Sequence, residues 1–252
     1  MANKGGSRHM KVSQIPASWP RGGKSVRFLA KPRPGPHSQE YSVPLVKLVR
    51  DIFGLAGSAR EARVAIQAGK VKINGRVRKD EKFPVGAFDL ISVEDHGDFC
   101  LLPKKGVGLF PIPYQGPRFL RVEGKKLYSG KYQFSFHDGS TFLMAKEDPL
   151  ASARVGSSMV FELKGEKWVP TVEVPVKEGA QVVIVGGKNE GVLGVISSIA
   201  EDLVNVNTPD GRAFQTSKDH VYAIDDRIFS ALSGAPSVSA STDKGATGGE
   251  PA

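Results

Sequence analysis

The sequence has little of what membrane, secreted and thiol-dependent proteins require. Cys100 is its single cysteine, so it cannot form an internal disulfide, and no second cysteine or nearby histidine stands at metal-ligand spacing. No apolar run approaches the roughly 18 residues of a membrane helix, and residues 1–30 lack the apolar stretch of a secretory signal. We therefore expect a cytoplasmic protein in which Cys100 is an inert thiol.

Acidic residues are absent from the first 39 positions. This segment carries Lys4, Arg8, Lys11, Arg21, Lys24, Arg27, Lys31 and Arg33. The whole chain has 35 Lys and Arg against 26 Asp and Glu, which gives a formal charge of +9. Glycines and prolines in the segment disfavour helix and strand, and charge of one sign repels itself unless a polyanion neutralises it. We predict a basic extended arm over residues 1–41 that becomes ordered only on such a partner.

Two short amphipathic helices are predicted after the arm. The apolar face of the first comprises Leu45, Leu48, Val49 and Ile52, behind Pro44. Gly54 ends this helix. The second begins with Ser58 and Glu61, a capping-box pair in which each side chain satisfies a free backbone donor, and it ends at Gly69.

A hairpin is predicted at residues 70–77, where apolar and basic residues alternate. A two-residue loop would place Ile73 opposite Arg76. A three-residue loop with Gly75 in the left-handed conformation places Ile73 opposite Val77. We favour the three-residue loop because it keeps the apolar pair together.

The favoured register also sets Lys72 opposite Arg78, which is unfavourable unless an anion such as RNA phosphate bridges the two cations. Further basic residues follow one face of the second helix. We expect a single RNA-facing patch made of Arg60, Arg63, Lys70, Lys72, Arg76 and Arg78.

The rest of the chain predicts mostly strands. Residues 42–93 form a helix pair with a small sheet, and residues 94–174 form a second, strand-rich region. Its alternating aromatic and apolar residues, interpreted as core and not as a base-stacking platform, are Tyr132, Phe134, Phe136, Phe142, Met144, Met159, Phe161 and Leu163. Glycine-rich short strands at 175–229 predict a small β-barrel, and residues 230–252 a disordered tail. The fold class is α+β, mostly β.

Two stretches resemble known RNA-binding modules. Residues 69–75, GKVKING, with the helix pair before them, resemble the alpha-L RNA-binding domain. Residues 179–196 resemble the KOW motif, with Ala180 where an acidic residue is common. An alpha-L domain behind a basic arm and ahead of a KOW barrel resembles the small-subunit ribosomal protein number four family of archaea and eukaryotes. Family-like landmarks are GSRHMK at 6–11, RPGPH at 33–37, DPL at 148–150 and DGRAFQT at 210–216.

The resemblance implies a protein that is not an enzyme, needs no cofactor or metal, and has no membrane or small-molecule partner. It implies a structural constituent of the small ribosomal subunit that binds small-subunit rRNA beside neighbouring ribosomal proteins. The candidate RNA-binding residues are Arg8, His9, Lys11, Arg21, Lys24, Arg27, Arg33, Arg60, Arg63, Lys70, Lys72, Asn74, Arg76, Arg78, Lys188 and Asn189.

Enzymatic interpretations of the sequence are weaker. The Gly23-Lys24-Ser25 triplet lacks the P-loop glycine, because position 18 is a serine, and residues 186–194 lack the spacing of a dinucleotide site. Two other kinds of protein each contain one of these two RNA-binding modules. An RNA-modifying enzyme with an alpha-L domain would add a larger catalytic domain, and a KOW-type transcription elongation factor would bind polymerase.

Overall fold

The computed structural model describes residues 7, 9–16, 19, 27–94, 96–104, 108–165, 167–209 and 211–233. In this part of the chain, short helices accompany three antiparallel sheets of five strands each and two small two-stranded sheets. The predicted α+β, mostly β fold class is confirmed. No helix of the described ranges is long and apolar enough to cross a membrane.

The N-terminal segment contains strands where an irregular arm was predicted. Strand β1 (Met10–Lys11) pairs antiparallel with β2 (Phe28–Leu29). Met10 and Trp19 are both buried and pack with the core of the following helix pair. The prediction that residues 1–41 hold no strand is therefore wrong. A few large apolar side chains, which the basic composition obscured, attach the segment to the protein.

The first helix is short and irregular. Strand β3 (Ser42–Pro44) leads into α1 (Leu45–Lys47), which continues as a π-helical turn, Leu48–Ile52. The Phe53 backbone N–H donates to the Leu48 carbonyl oxygen at 2.9 Å, the five-residue step of a π-turn. Gly54 follows with a positive φ of 66°, as the predicted end of the helix requires.

The second helix, α2 (Ala59–Gln67), begins at the predicted cap. The Glu61 backbone N–H donates to Ser58 Oγ at 3.2 Å. The Glu61 carboxylate accepts from the backbone N–H of Gly57 at 2.9 Å, one residue before the predicted donor. Both side chains therefore satisfy free donors at the helix start. Gly69, with a φ of 84°, follows the last turn.

The first five-stranded sheet extends further than predicted. Its strands are β4 (Val71–Ile73), β5 (Arg76–Val77), β7 (Leu90–Val93), β8 (Gly97–Lys104) and β9 (Gly108–Pro113). Strand β6 (Pro84–Gly86) lies between β5 and β7 in the chain but belongs to a separate two-stranded sheet. The order is β5-β4-β7-β8-β9, and β6 pairs with β3. The sheet thus continues across the boundary predicted between residues 93 and 94, because β8 pairs with β7, and β9 pairs with β8.

The hairpin of this sheet has the register that the sequence analysis rejected. Ile73 lies opposite Arg76, and Asn74 and Gly75 form a two-residue turn with φ values of 52° and 77°. Two left-handed residues match the twist of the paired strands. The three-residue loop is therefore wrong. Val77 stays 46% exposed, so burying it opposite Ile73 does not determine the pairing.

The second five-stranded sheet forms the centre of the chain. Its strands are β10 (Arg118–Tyr128), β11 (Lys131–Phe136), β12 (Thr141–Met144), β13 (Ser158–Lys164) and β14 (Lys167–Val174). The order is β12-β11-β10-β13-β14. Phe134, Phe136 and Met144 are buried, so their assignment to the core is confirmed. Leu163 differs: it lies near the end of β13 and is 50% exposed.

The third sheet has its own apolar core. Its strands, with the helix that follows, are β15 (Gln181–Ile184), β16 (Leu193–Ala200), β17 (Leu203–Asn207), β18 (Ala213–Ser217), β19 (Val221–Ala223) and α3 (Asp226–Ser233). The order is β18-β17-β16-β15-β19, around buried Val182, Ile184 and Ile196.

Helix α3 corrects the predicted start of the tail at residue 230. Ile228 and Leu232, four residues apart on one helix face, are both buried, and α3 runs to Ser233. The disorder predicted for residues 230–233 is therefore wrong. The rest of the predicted tail, residues 234–252, lies outside the described residues.

Candidate nucleic-acid interface

A buried polar hub joins the N-terminal segment, the first sheet and the central sheet. Asp89, 1% exposed, binds His37 Nε2 at 2.8 Å and Asn74 Nδ2 at 2.7 Å. Arg118 Nη2 lies 3.5 Å from Asp89 and donates to Asp138 at 2.7 Å. A single buried arginine therefore neutralises carboxylates from two regions of the chain. We call these five residues the polar hub.

The charges of the hub depend on one another. Burial alone would raise the pKa of Asp89, but His37, Arg118 and Asn74 together hold it well below its ordinary 3.8. Burial likewise opposes charge on His37, but Asp89 outweighs it and raises the pKa of His37 above 6.5. Neighbouring His137 has no such partner, and burial lowers its pKa to about 4. Asp89 thus favours the charged form of His37, whereas burial favours the neutral form of His137.

Asn74 was predicted to contact RNA, but its side chain is engaged inside the protein. Its Oδ1 accepts from the Leu90 backbone N–H at 3.0 Å, and its amide donates to Asp89. The Asn74 carbonyl oxygen accepts from the Trp168 indole N–H at 2.8 Å. The structure thus gives Asn74 an architectural role, which holds the hairpin turn against the central sheet.

The described residues of the N-terminal segment that were predicted to bind RNA divide into an exposed cluster and an ion pair. The exposed cluster comprises His9, Lys11 and Arg27. They surround Phe28, which is 51% exposed: the His9 ring centroid lies 6.0 Å away, the Arg27 guanidinium 5.6 Å, and Lys11 is the cross-strand partner. Arg33 instead forms an ion pair with Asp80 at 2.9 Å. Arg8, Arg21 and Lys24 lie outside the described residues.

The six basic residues predicted to form one patch lie on different faces. Paired residues in antiparallel strands share a face, and consecutive residues alternate. Because Ile73 pairs with Arg76, and the Arg78 backbone N–H bonds to Val71, both arginines share the face of the apolar side chains. Lys72 points to the opposite face. The register therefore divides the patch.

Two further members of the predicted patch have partners. Arg63 forms an ion pair with Glu81, and Lys70 Nζ lies 3.8 Å from Glu94. Arg60 is exposed on α2 and forms no ion pair within the described ranges. Sequence spacing correctly placed these side chains at the surface, but it could not show which of them neutralise a carboxylate.

A groove of about 660 Å³ separates the β4–β5 hairpin from the central sheet. We call it the hairpin groove. Its cationic and aromatic lining includes Arg76, Arg78, Lys167, Phe142, Phe161 and Trp168. Lys167 and the aromatic lining were absent from the predicted site. The alternation of aromatic and polar residues in the predicted strands was visible in the sequence. Alternation alone does not show whether an aromatic ring lies in the core or lines a groove.

A second groove, of about 630 Å³, lies between the central and third sheets. We call it the inter-sheet groove. Its basic side chains are Arg121, Arg154, Lys177 and Lys218. Arg121 Nη1 donates to the Asp219 carbonyl oxygen at 2.5 Å, and its guanidinium lies 5.2 Å from the Tyr222 ring centroid. Sequence reasoning missed all four cations because they are isolated along the chain, and only the fold gathers them.

The loop between β15 and β16 presents the predicted Lys188 to solvent and leaves Asn189 partly buried. Gly191 in this loop has a φ of 80°, and a Cβ there would come within 2.2 Å of the Pro103 carbonyl oxygen. A glycine is required at this contact between the loop and β8. The RNA contacts of Lys188 and Asn189 stay predictions.

The thiol of Cys100 is unsuited to catalysis. It is fully buried, and burial strongly raises its pKa, so the reactive thiolate does not form. Among the described residues, no group of three or more His, Cys, Asp and Glu side chains is placed to hold a metal ion.

Comparisons with known proteins identify the family of the chain. The S4 domain family matches residues 43–91, the segment that carries the helix pair and the hairpin. The small ribosomal subunit protein eS4 of Aeropyrum pernix is 38% identical over 89% of this chain and 94% of its own length. Its namesake in Methanocaldococcus jannaschii is 32% identical over 90% and 97%.

A solved structure extends the likeness to the fold. The crystal structure of the 30S ribosomal protein S4e from Thermoplasma acidophilum superimposes with a TM-score of 0.62 at 27% identity, over 76% of this chain and 98% of that one. Several relatives are more than 30% identical to this chain over nearly their whole length. The chain belongs to the small ribosomal subunit protein eS4 family.

Proposed function

We propose that this protein is a structural constituent of the small ribosomal subunit in the cytoplasm, where it binds and stabilises small-subunit rRNA beside neighbouring ribosomal proteins. Membership of the eS4 family and the S4 domain support this role. The role is structural and not enzymatic. The protein holds RNA segments in place, and no bond in the RNA changes.

The observation that carries the proposal is the distribution of exposed cations without carboxylate partners. Such cations occur in the N-terminal segment at Lys11 and Arg27, in the first sheet and its helices at Arg60, Lys72 and Arg76, and in the third sheet at Lys188. None of them forms an ion pair within the described ranges. Each is available to neutralise a phosphate.

Anchors on several units of one chain reinforce each other. Once one unit is bound, the others are held near the RNA at a high effective concentration, so several weak contacts produce firm attachment. The polar hub supports this mechanism, because it ties the N-terminal segment and two of the sheets together. The RNA segments that the anchors touch are thereby held at a fixed spacing.

The test is the association of the purified full chain with small-subunit RNA as salt is raised. With about six neutralised phosphates, the logarithm of affinity should fall against the logarithm of salt with a slope near −4 to −5. Co-sedimentation with small subunits at moderate salt is the companion measurement. A slope near zero, or co-sedimentation with RNA polymerase in place of small subunits, would overturn the proposal.

A further inference from the structure

The hairpin groove combines aromatic side chains with cations that have no carboxylate partner among the described residues. Its floor belongs to the central sheet, where the partly exposed Phe142 ring lies 6.2 Å from the ring of Phe161, which is only 3% exposed and belongs to the core. Trp168 is partly buried and is fixed by its hydrogen bond to Asn74. The rings are therefore held in place, and the hairpin leaves part of this apolar face uncovered.

The cations of the groove differ in their partners: Arg118 pairs with Asp138 and Asp89, whereas the Arg78 guanidinium lies 4.5 Å from the Phe83 ring centroid without a carboxylate partner in the described ranges. Within the part of the chain that the structure describes, Arg76, Arg78 and Lys167 form no ion pair. Arg118 is 7% exposed, and its Nε, like the Nε of Arg78, is buried without a hydrogen-bond partner. Buried donors without a protein partner are uncommon in folded proteins, and a water or a ligand oxygen can serve as their acceptor.

The charge of the groove selects an anion. Asp138 is the carboxylate that lines it, and Arg118 at 2.7 Å and the Ser140 hydroxyl already occupy its oxygens. The three free cations at the wall and rim therefore lack a counter-charge. The volume, about 660 Å³, lies within the roughly 300–1,000 Å³ range of pockets that enclose a small ligand.

We propose that the hairpin groove holds one unpaired nucleotide of RNA, with its base on the partly exposed rings of Phe142 and Trp168 and its phosphate on Arg76, Arg78 and Lys167. Aromatic side chains stack on any base, and arginine and lysine bind the backbone, so this combination is the chemistry of a single-strand site. The proposal rests on the proposed rRNA-binding function and specifies a subsite of it. A double helix does not fit, because its bases are already paired and stacked.

The two tryptophans of the chain make the groove observable. Trp19 is buried in the core of the first helix pair, whereas Trp168 lines the groove. In a Trp19→Phe background, the tryptophan fluorescence of the full chain, excited selectively over its five tyrosines, comes from Trp168 alone. A short single-stranded oligouridylate should quench it saturably, and a duplex of the same length should quench it far less.

Matched variants assign the quenching to the groove. Phe142→Leu keeps an apolar side chain but removes a stacking surface, and it should weaken oligouridylate binding about fivefold or more, since stacking contributes about 1–3 kcal/mol per base. Lys167→Gln removes a phosphate contact and should reduce the salt slope by about 0.7. Lys131→Gln is its control: Lys131 is also an exposed lysine at the start of a central strand, but it does not line the groove. Melting temperatures verify that each variant folds.

The outcomes separate the subsite from the general function. Wild-type quenching that Phe142→Leu and Lys167→Gln weaken, and Lys131→Gln does not, supports the proposal. If the chain binds small-subunit RNA with a steep salt slope but oligouridylate leaves Trp168 unquenched, the groove proposal is overturned and the rRNA-binding function stands. Quenching by an acidic aromatic peptide but not by oligouridylate also overturns it and identifies a docking site for protein. Loss of all RNA association would overturn the general function.

Discussion

The polar hub and the hairpin groove use arginine in opposite ways. Arg118 in the hub is buried and hydrogen-bonded to Asp138 and Asp89, and it binds regions of the chain to each other. Arg76 lines the groove, is exposed, and forms no ion pair with a carboxylate within the described ranges. A basic residue therefore stabilises the fold where its partner belongs to the protein, and it is available for RNA where no partner does.

The largest effect is expected from the hub. Arg118→Met leaves Asp138 buried without its cation and Asp89 with His37 alone, and breaking a buried pair on one side destabilises by about 3–5 kcal/mol. Urea unfolding of the full chain measures this change. The control is Arg76→Met at the surface, which should stay within about 0.5 kcal/mol of wild type. A loss below about 1 kcal/mol for Arg118→Met would show that the hub does not hold the fold.

The pH dependence of stability sharpens the comparison. Because Asp89 raises the pKa of His37 above 6.5, the stabilisation from charged His37 is complete below about pH 6.5 and is lost as pH rises through the folded pKa. Asp89 has a lowered pKa, so its contribution is present above about pH 3.9 and falls only in stronger acid. Above neutral pH, the free energy of unfolding should therefore decrease because His37 loses its proton.

Substitution of His37 by glutamine tests this decline. The variant keeps the other charges near His37, which belong to Asp138 and Arg118. His137 has the opposite effect, because its lowered pKa reduces the stability of the fold as pH falls from about 6.5 to about 4. Unfolding midpoints from about pH 6 to about pH 9 should fall for wild type and stay nearly flat for His37→Gln. Parallel curves would contradict a charged His37 in the hub.

The smallest effect is expected at surface ion pairs. Arg33, paired with Asp80, and Arg63, paired with Glu81, have side chains that are 65% and 50% exposed. Exposed pairs contribute about 0–1 kcal/mol, so Arg33→Gln and Arg63→Gln should each change the free energy of unfolding by less than about 1 kcal/mol. A cost comparable with that of Arg118→Met would remove the distinction between buried and exposed pairs.

Local patterns in the sequence predicted much of the fold. The Ser58 cap, the glycine that ends each helix of the pair and the buried Phe134 and Phe136 all follow from rules that act within a few residues. The hairpin register was missed because an apolar Ile73–Val77 pair was given more weight than Asn74-Gly75, the local signal of a two-residue turn. Contacts of Asn74 with Asp89 and Leu90, which are distant in sequence, also hold this turn. No local pattern contains those contacts.

The candidate site was less predictable than the fold. Composition located the basic segments, but it could not show that Arg63 has an internal partner or that Asn74 is bonded within the protein. Arg154 and Lys218 were overlooked because each stands alone in sequence and joins the other only across two sheets. The availability of a charge depends on its spatial neighbours, which the order of residues does not reveal.

The most direct test compares two triple variants in their salt-dependent binding to small-subunit RNA. The first changes the unpaired cations Lys72, Arg76 and Lys167 to glutamine, and the second changes the ion-paired cations Arg33, Arg63 and Lys70. Both remove three positive charges from the surface. The first should make the slope shallower by about 2–3, at roughly 0.7–0.9 per lost phosphate, and the second by less than about 1. Equal losses would show that charge alone, and not the absence of an internal partner, determines which residues bind RNA.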